Sequence, residues 1–159
     1  MAEVTYRAAA TADAEAIASV MAEVVAGPHL VGFERARPAV AVQLWLSRLG
    51  ESGLILLVES AGEALGFGAL DFDTQEPETA SLGVWLRGRA RRQGIGTRLA
   101  EGLLTHARDR GFTRIVDRLP ENNEAAMSFL NSIGGLVPII NLAAPATPAG
   151  TEMRFELPL

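Results

Sequence analysis

The chain has 159 residues, 48% of them hydrophobic, which is enough for one domain with its own core and gives no sign of disorder. It contains no cysteine, so disulfides and thiolate metal sites are excluded and a reducing cytoplasm suits it. The net charge of −5 is the wrong balance for a nucleic-acid binder, no apolar run approaches the ~18 residues of a membrane span, and the N-terminus has no signal-like segment.

Val4 to Ala8 alternates as a first strand. Thr11 is the expected N-cap of a first helix, with Asp13 and Glu15 in its opening turn and Ile17, Val20, Met21, Val24 and Val25 as its apolar stripe. Gly27-Pro28 ends it, and an irregular segment follows from His29 to Arg37. Pro38 opens a second helix whose Val42, Trp45, Leu46 and Leu49 share a face, and Gly50 stops it. Leu54 to Glu59 is a continuous apolar run, as in a strand buried on both faces. A break at Ser60-Ala61-Gly62-Glu63 leads back into a partner strand from Ala64 to Phe72, where Gly66 and Gly68 point to a bulge or a close neighbour. The acidic stretch Asp71 to Glu78 reads as a turn before a fourth strand, Ala80 to Leu86.

An arginine-rich connection then reaches Gly94-Ile95-Gly96, which opens a helix with Ile95, Leu99 and Leu103 inward and Thr97, Glu101, Thr105 and Arg108 outward, ended by Gly111. Phe112 to Arg118 is a fifth strand. Glu121-Asn122-Asn123 caps a further helix with Ala126, Leu130 and Ile133 inward, ended by Gly134-Gly135. Leu136 to Leu142 and Glu152 to Leu157 close the chain as two strands around the loop Ala143 to Gly150. The expected order is β-α-α-β-β-β-α-β-α-β-β: an α/β fold with a mixed, mostly antiparallel sheet of about seven strands, helices on both faces, and residues 1–159 as a single domain.

Strand, glycine turn and helix N-terminus together make a seat for an anion. The first N–H groups of a helix are unpaired and carry the positive end of its dipole, and glycine lets the backbone approach the ligand. Every one of the 14 basic residues is arginine, and Arg87, Arg89, Arg91, Arg92 and Arg98 fall beside this turn. A local basic patch in an acidic protein fits a small phosphate-bearing ligand. It is not a dinucleotide fingerprint, since Leu99 stands at the third glycine position, nor a nucleotide-hydrolase phosphate loop, since the chain has no lysine.

Arg91-Arg92-Gln93-Gly94-Ile95-Gly96 resembles the Arg/Gln-x-x-Gly-x-Gly/Ala signature of the Gcn5-related N-acetyltransferase (GNAT) family. The strand Leu82-Gly83-Val84-Trp85-Leu86 before it resembles the family's fourth strand. Asn123-Glu124-Ala125-Ala126, with Leu130 and Gly134, resembles its Asn-x-x-Ala-x-x-x-Tyr-x-x-x-Gly-Phe helix. The resemblance covers nearly the whole chain. It implies an acyl-CoA N-acyltransferase-like domain that takes acetyl-CoA as co-substrate in a V-shaped gap between the fourth and fifth strands, in a chain whose composition leads to the expectation of a soluble, cytoplasmic protein. The pyrophosphate would rest on main-chain N–H groups of Arg92, Gln93, Gly94, Ile95, Gly96 and Thr97, with the Thr97 hydroxyl and Arg91 beside them. The pantetheine arm would pair with the edge at Val84, Trp85 and Leu86, and Asn123 would bond it from the opposite side. The implied acceptor is a primary amine of a small molecule or peptide. No metal, nucleic acid or membrane is implied, and such a fold allows a homodimer through the closing strands.

Acyl transfer needs an amine freed of its proton, a donor for the carbonyl oxygen and protonation of the leaving thiolate. A main-chain N–H near Leu86 is the natural oxygen donor. The family's usual tyrosine acid is replaced by Leu130, leaving water or Ser128 as proton donor. Ser81 stands where many relatives carry a glutamate, and Glu78, Glu76 and Asp73 lie upstream, as catalytic groups or as a solvated acidic turn. His29 borders the acceptor side in the family and reads equally as surface. His106 reads as a packing residue, Asn123 also as a plain helix cap, and Trp85 equally as core or cleft. The missing tyrosine and glutamate keep a second reading open: a catalytically weak acyl-CoA-binding sensor or interaction module.

Overall fold

The computed structural model describes residues 3–26, 37–73, 76–120, 137–139 and 152–159. Its elements are β1 (Val4–Ala8), α1 (Ala14–Ala26), α2 (Ala39–Leu49), β2 (Leu54–Ser60), β3 (Glu63–Asp73), β4 (Glu76–Leu86), α3 (Ile95–Asp109), β5 (Arg114–Pro120), β6 (Val137–Ile139) and β7 (Glu152–Pro158). Short 3-10 turns lie at Thr11–Asp13 and Gly88–Ala90. The described strands form one sheet in the order β1-β2-β3-β4-β5-β7-β6. Neighbours are antiparallel except β4 and β5, which are parallel. Parallel neighbours cannot be joined by a hairpin, and α3 supplies the crossover between them. The expected α/β class with a mixed sheet is therefore observed. The helix expected after Asn123 lies outside the described residues, as do His29, Ser128, Leu130 and the loop Ala143 to Gly150.

Strand alternation sends one set of side chains to each helical layer. Ile55, Leu57, Phe67 and Ala69 pack with Ile17, Val20, Met21 and Val24 of α1 and with Val42, Trp45 and Leu49 of α2. On the opposite face Leu70, Leu82 and Val58 meet α3 through Leu99, Leu103, Leu104 and Ala107. Gly68 permits that approach, because a Cβ there would stand 2.8 Å from Leu103 Cδ1. The bulge expected near Gly66 is also present, as a register shift between Val58, opposite Gly66, and Glu59, opposite Ala64.

Two local expectations are corrected. The stretch from Asp71 to Glu78 is mostly strand: Asp71 to Asp73 end β3, and β4 begins at Glu76 rather than Ala80. Cross-strand pairing, Asp71 with Ser81 and Asp73 with Glu76, outweighs the weak strand preference of acidic residues. Thr11 is not the cap of α1 but opens the 3-10 turn before it. The Ala10 N–H donates to Asp13 Oδ2 at 2.8 Å, and the two terminal nitrogens of Arg7 grip the same carboxylate at 2.8 and 2.7 Å. A charged acceptor with an arginine partner competes better for the turn than a hydroxyl does. Hydrogen bonding to Arg7 holds the Asp13 carboxyl below its ordinary range.

Candidate functional site

The ladder between β4 and β5 consists of Thr79 with Arg114 and Ala80 with Ile115. Below it the Thr113 N–H donates to the Glu78 carbonyl at 2.8 Å, and Arg114 Nε donates to the buried Thr79 Oγ1 at 2.9 Å. Beyond Ala80, β4 runs on to Leu86 in register with β3, while β5 runs on to Pro120 in register with β7. The two parallel strands therefore diverge from a pinned apex and open a wedge toward the start of α3.

At the wide end lies the glycine turn. Gly94 is the N-cap of α3 and is left-handed, with φ 77° and ψ 2°, a conformation an L side chain reaches only at a cost of about 1–2 kcal/mol. Arg92 is also left-handed, with φ 61°. Left-handed residues interleaved with ordinary ones turn successive N–H groups toward one side, and the result is a concavity for an anion. No side chain caps α3, and no acidic residue sits in its first turn; the first helical bond runs from Arg98 N–H to Gly94 O at 3.1 Å. Among the described residues, the N–H groups from Arg92 through Thr97 have no hydrogen-bond partner.

The five arginines of this region do different jobs. Arg87 is the least exposed of the ion-paired arginines here and binds Glu23 of α1, at 3.2 Å from Nη1 to Oε1. Arg89 pairs with Glu63 on the surface and holds that carboxyl below its ordinary range by hydrogen bonding. Arg91 Nε donates to the Leu86 carbonyl at 3.3 Å, and the Arg98 guanidinium lies 5.4 Å from the centre of the Tyr6 ring. Arg92 is exposed and makes no ion pair among the described residues. The positive charge offered to a ligand is thus smaller than five arginines suggest. Gln93 is structural as well, its Nε2 donating to the Arg89 carbonyl at 2.9 Å. Thr97 is half-buried at the helix start.

Along β4 the side chains of Val84 and Leu86 pack with the α3 layer. The Trp85 ring lies on the other face, stacked on Phe67 with centroids 4.9 Å apart and edge-on to Trp45 at 6.5 Å. It covers Gly83, where a Cβ would meet the indole at 2.3 Å. Its ring is core, and its backbone is what it brings to the wedge. Ser81 is half-buried on this same α1–α2 face by alternation from Trp85. Glu78 is exposed and stands on the far side of the paired Thr79 and Ala80, so the fold does not bring it together with Ser81. Asn123 and Ser128 lie outside the described residues.

One residue that sequence reasoning missed stands directly across from Ser81. Asp71 accepts hydrogen bonds from Trp45 Nε1 at 3.0 Å, Arg48 Nη2 at 2.6 Å and the Phe72 N–H at 2.7 Å. Burial pushes its carboxyl up, but these three donors outweigh burial and hold it below the ordinary carboxylate range. At neutral pH it is a carboxylate whose charge Arg48 balances. The alternation Phe67, Ala69, Asp71 placed it on this face, but the stretch read as a turn concealed that. His106 is half-buried on α3, and its Nε2 is buried with no hydrogen-bond partner among the described residues. Among the described residues no cluster of His, Asp and Glu is suited to a metal, and no helix is long and apolar enough to cross a membrane.

The profile of the acetyltransferase (GNAT) family matches residues 19–134, and the chain belongs to that family. Solved structures share the fold. The chain is 18% identical to yncA of Salmonella typhimurium, described with its cofactor acetyl-CoA, covering 98% of this chain and 93% of that one with a TM-score of 0.81. It is 20% identical to a phosphinothricin acetyltransferase of Sinorhizobium meliloti in complex with acetyl-CoA, covering 98% and 88% with a TM-score of 0.78. It is 24% identical to a GCN5-related N-acetyltransferase of Kribbella flavida, covering 98% of each with a TM-score of 0.75. A search of curated protein sequences found no significant match.

Proposed function

We propose that the protein is an acyl-CoA-dependent N-acyltransferase that passes acetyl from acetyl-CoA to a primary amine of a small molecule or peptide. The observation that carries this is the run of N–H groups from Arg92 to Thr97 that have no partner among the described residues, set at the mouth of the β4–β5 wedge. A pyrophosphate fits such a seat: left-handed Gly94 and Arg92 aim the donors, and no acidic side chain opposes it in the first turn of α3. Thr97 and Arg91 add donors beside it. The edge of β4 at Val84, Trp85 and Leu86 takes the pantetheine arm as an added strand, and Asn123 binds it from the other side. In this reading residues 1–159 form one cytoplasmic N-acetyltransferase-like domain with the complete order β-α-α-β-β-β-α-β-α-β-β.

Acetyl-CoA supplies an activated thioester, so the chain's own task is to orient it, polarise its carbonyl and receive a proton. A main-chain N–H near Leu86 holds the carbonyl oxygen. A thiol of pKa ~8.5 departs without a dedicated acid, which accords with Leu130 at the usual tyrosine position. Ser81, beside the neutralised Asp71, orients water toward the amine. Asp71, the carboxyl paired across from Ser81, is held below the ordinary carboxylate range and is a weak base, so in this reading the amine arrives largely as free base.

Calorimetric titration with acetyl-CoA, ATP and NAD, followed by thiol release across an amine panel, tests this. Acetyl-CoA should bind more tightly than either nucleotide, and some amine should release thiol. Tight acetyl-CoA binding with no turnover on any amine would instead support the acyl-CoA sensor. Equal affinity for all three ligands would sink both.

A further inference from the structure

We propose that Glu23, on α1, is a positioning residue for the cofactor seat, holding the connection between β4 and α3 from outside that connection. The inference rests on the acetyl-CoA reading above. Glu23 uses both carboxylate oxygens on this one segment: Oε2 accepts the Gly88 N–H at 3.1 Å, and Oε1 takes Arg87 Nη1 at 3.2 Å.

Arg87 is in turn fully engaged. Its Nε donates to the Ala64 carbonyl at 2.8 Å, its Nη2 to Ser19 Oγ at 3.0 Å, and its own N–H to the Leu65 carbonyl at 2.9 Å. Gly88 begins the 3-10 turn, and Ala90 ends it buried against Ile95 and Leu99 of α3. Among the described residues the remaining polar anchors of the connection are internal, from Arg91 to Leu86 O and from Gln93 to Arg89 O, apart from the surface pair of Arg89 with Glu63. Glu23 and Ser19 are therefore what ties this segment to α1, four residues upstream of where Arg92 begins the run of open N–H groups.

A seat made of main-chain donors is effective only when those donors converge before the ligand arrives, because ordering them on binding subtracts from affinity. Glu23 supplies that order through geometry and not through attraction. As a carboxylate near an anion's seat it is electrostatically unfavourable, and its charge is balanced by Arg87. This gives opposed signs. If Glu23 positions the turn, removing it weakens acetyl-CoA binding; if it acts only as a charge, removing it tightens binding.

The test is calorimetry and steady-state kinetics on wild type, Glu23→Ala, Glu23→Asp and Glu23→Gln, with folding of each checked by circular dichroism and Tm. We expect Glu23→Ala to raise the Kd and the KM for acetyl-CoA by roughly 5- to 20-fold, the loss of one charge-assisted hydrogen bond to a main-chain donor, with kcat at saturation changed less than about twofold. Glu23→Asp keeps the charge and loses the reach, and should weaken binding in the same direction. Glu23→Gln keeps an oxygen for Gly88 and should stay within about threefold of wild type. Should Glu23→Ala not fold, the Asp and Gln pair carries the same comparison. Wild-type binding with unchanged or tighter binding by folded Glu23→Ala or Glu23→Asp would overturn the positioning role alone. Failure of the wild type to bind acetyl-CoA would overturn the functional reading and this role with it.

Discussion

The two ends of β4 are built from different materials. At the Leu86 end the groups proposed to bind the cofactor are main-chain N–H donors, and the side chains around them hold the backbone: Glu23 on Gly88, Arg91 on Leu86, Gln93 on Arg89. At the Ser81 end the polar groups are side chains that satisfy one another, with Asp71 shared among Trp45, Arg48 and the Phe72 N–H. Among the described residues the first end leaves N–H donors open, whereas at the second the Asp71 carboxylate is already engaged by three donors. A binding seat made of backbone tolerates wide change in side chains, whereas a catalytic group made of side chains is lost or moved by single substitutions.

The comparison is broken most forcefully at Gly96. Gly96→Val crowds the proposed pyrophosphate seat, and at this second residue of α3 valine has no lower helix propensity than glycine, so acetyl-CoA affinity should fall by tenfold or more, about 1.4 kcal/mol, while Tm stays near wild type. Unchanged affinity in a folded variant would separate the open N–H groups from cofactor binding. Gly94→Ala acts by another route, since its Cβ meets nothing within 4 Å and only the left-handed backbone resists it. It should cost about 1–2 kcal/mol of stability by denaturant unfolding.

At the other end, Asp71→Asn should cost about 1 kcal/mol at pH 7, a charge-assisted hydrogen-bond value discounted for partial exposure. The sign with pH follows from a carboxyl lowered on folding. Its contribution is fully present above the unfolded value of about 3.9 and is lost as pH falls through the lower folded value. Tm measured against pH should show wild type and Asp71→Asn converging in acid; a constant gap would deny the charge its role. Because Asp71, across from Ser81, is held too acidic to take up the amine's proton, kcat/KM for the acceptor should rise with pH toward the amine's own pKa, and a bell with an acidic limb near neutrality would contradict that. The smallest effect belongs to Arg89→Ala. Its pair with Glu63 is exposed, so neither Tm nor acetyl-CoA affinity should move measurably.

The same contrast explains what could be read from the sequence. Gly94 and Gly96 after an apolar strand are local signals, and the structure places them at the helix start, where Gly94 takes the left-handed conformation that glycine favours. The stripe Ile17, Val20, Met21, Val24 and the buried run Leu54 to Glu59 were legible for the same reason: period and burial are local properties. Arg87 was not. Its charge reads as ligand-facing until Glu23 and Ser19, far away in the chain, come to lie beside it. Asp71 was hidden likewise, because acidic composition suggests a turn and only pairing with Ser81 and the reach of Trp45 and Arg48 make it a buried-side acceptor. Thr11 lost its cap to Asp13 because Arg7, on the neighbouring strand, strengthened the competitor.

The most direct measurement is amide chemical-shift perturbation, by NMR on the isotopically labelled full chain, as acetyl-CoA is added. The largest shifts should fall on the N–H groups of Arg92 to Thr97 and on Val84 to Leu86, with little change at Asp71 or at the Arg7–Asp13 turn. Shifts concentrated away from the start of α3, or saturable binding that leaves those N–H groups unmoved, would contradict the assignment of the glycine turn as the cofactor seat.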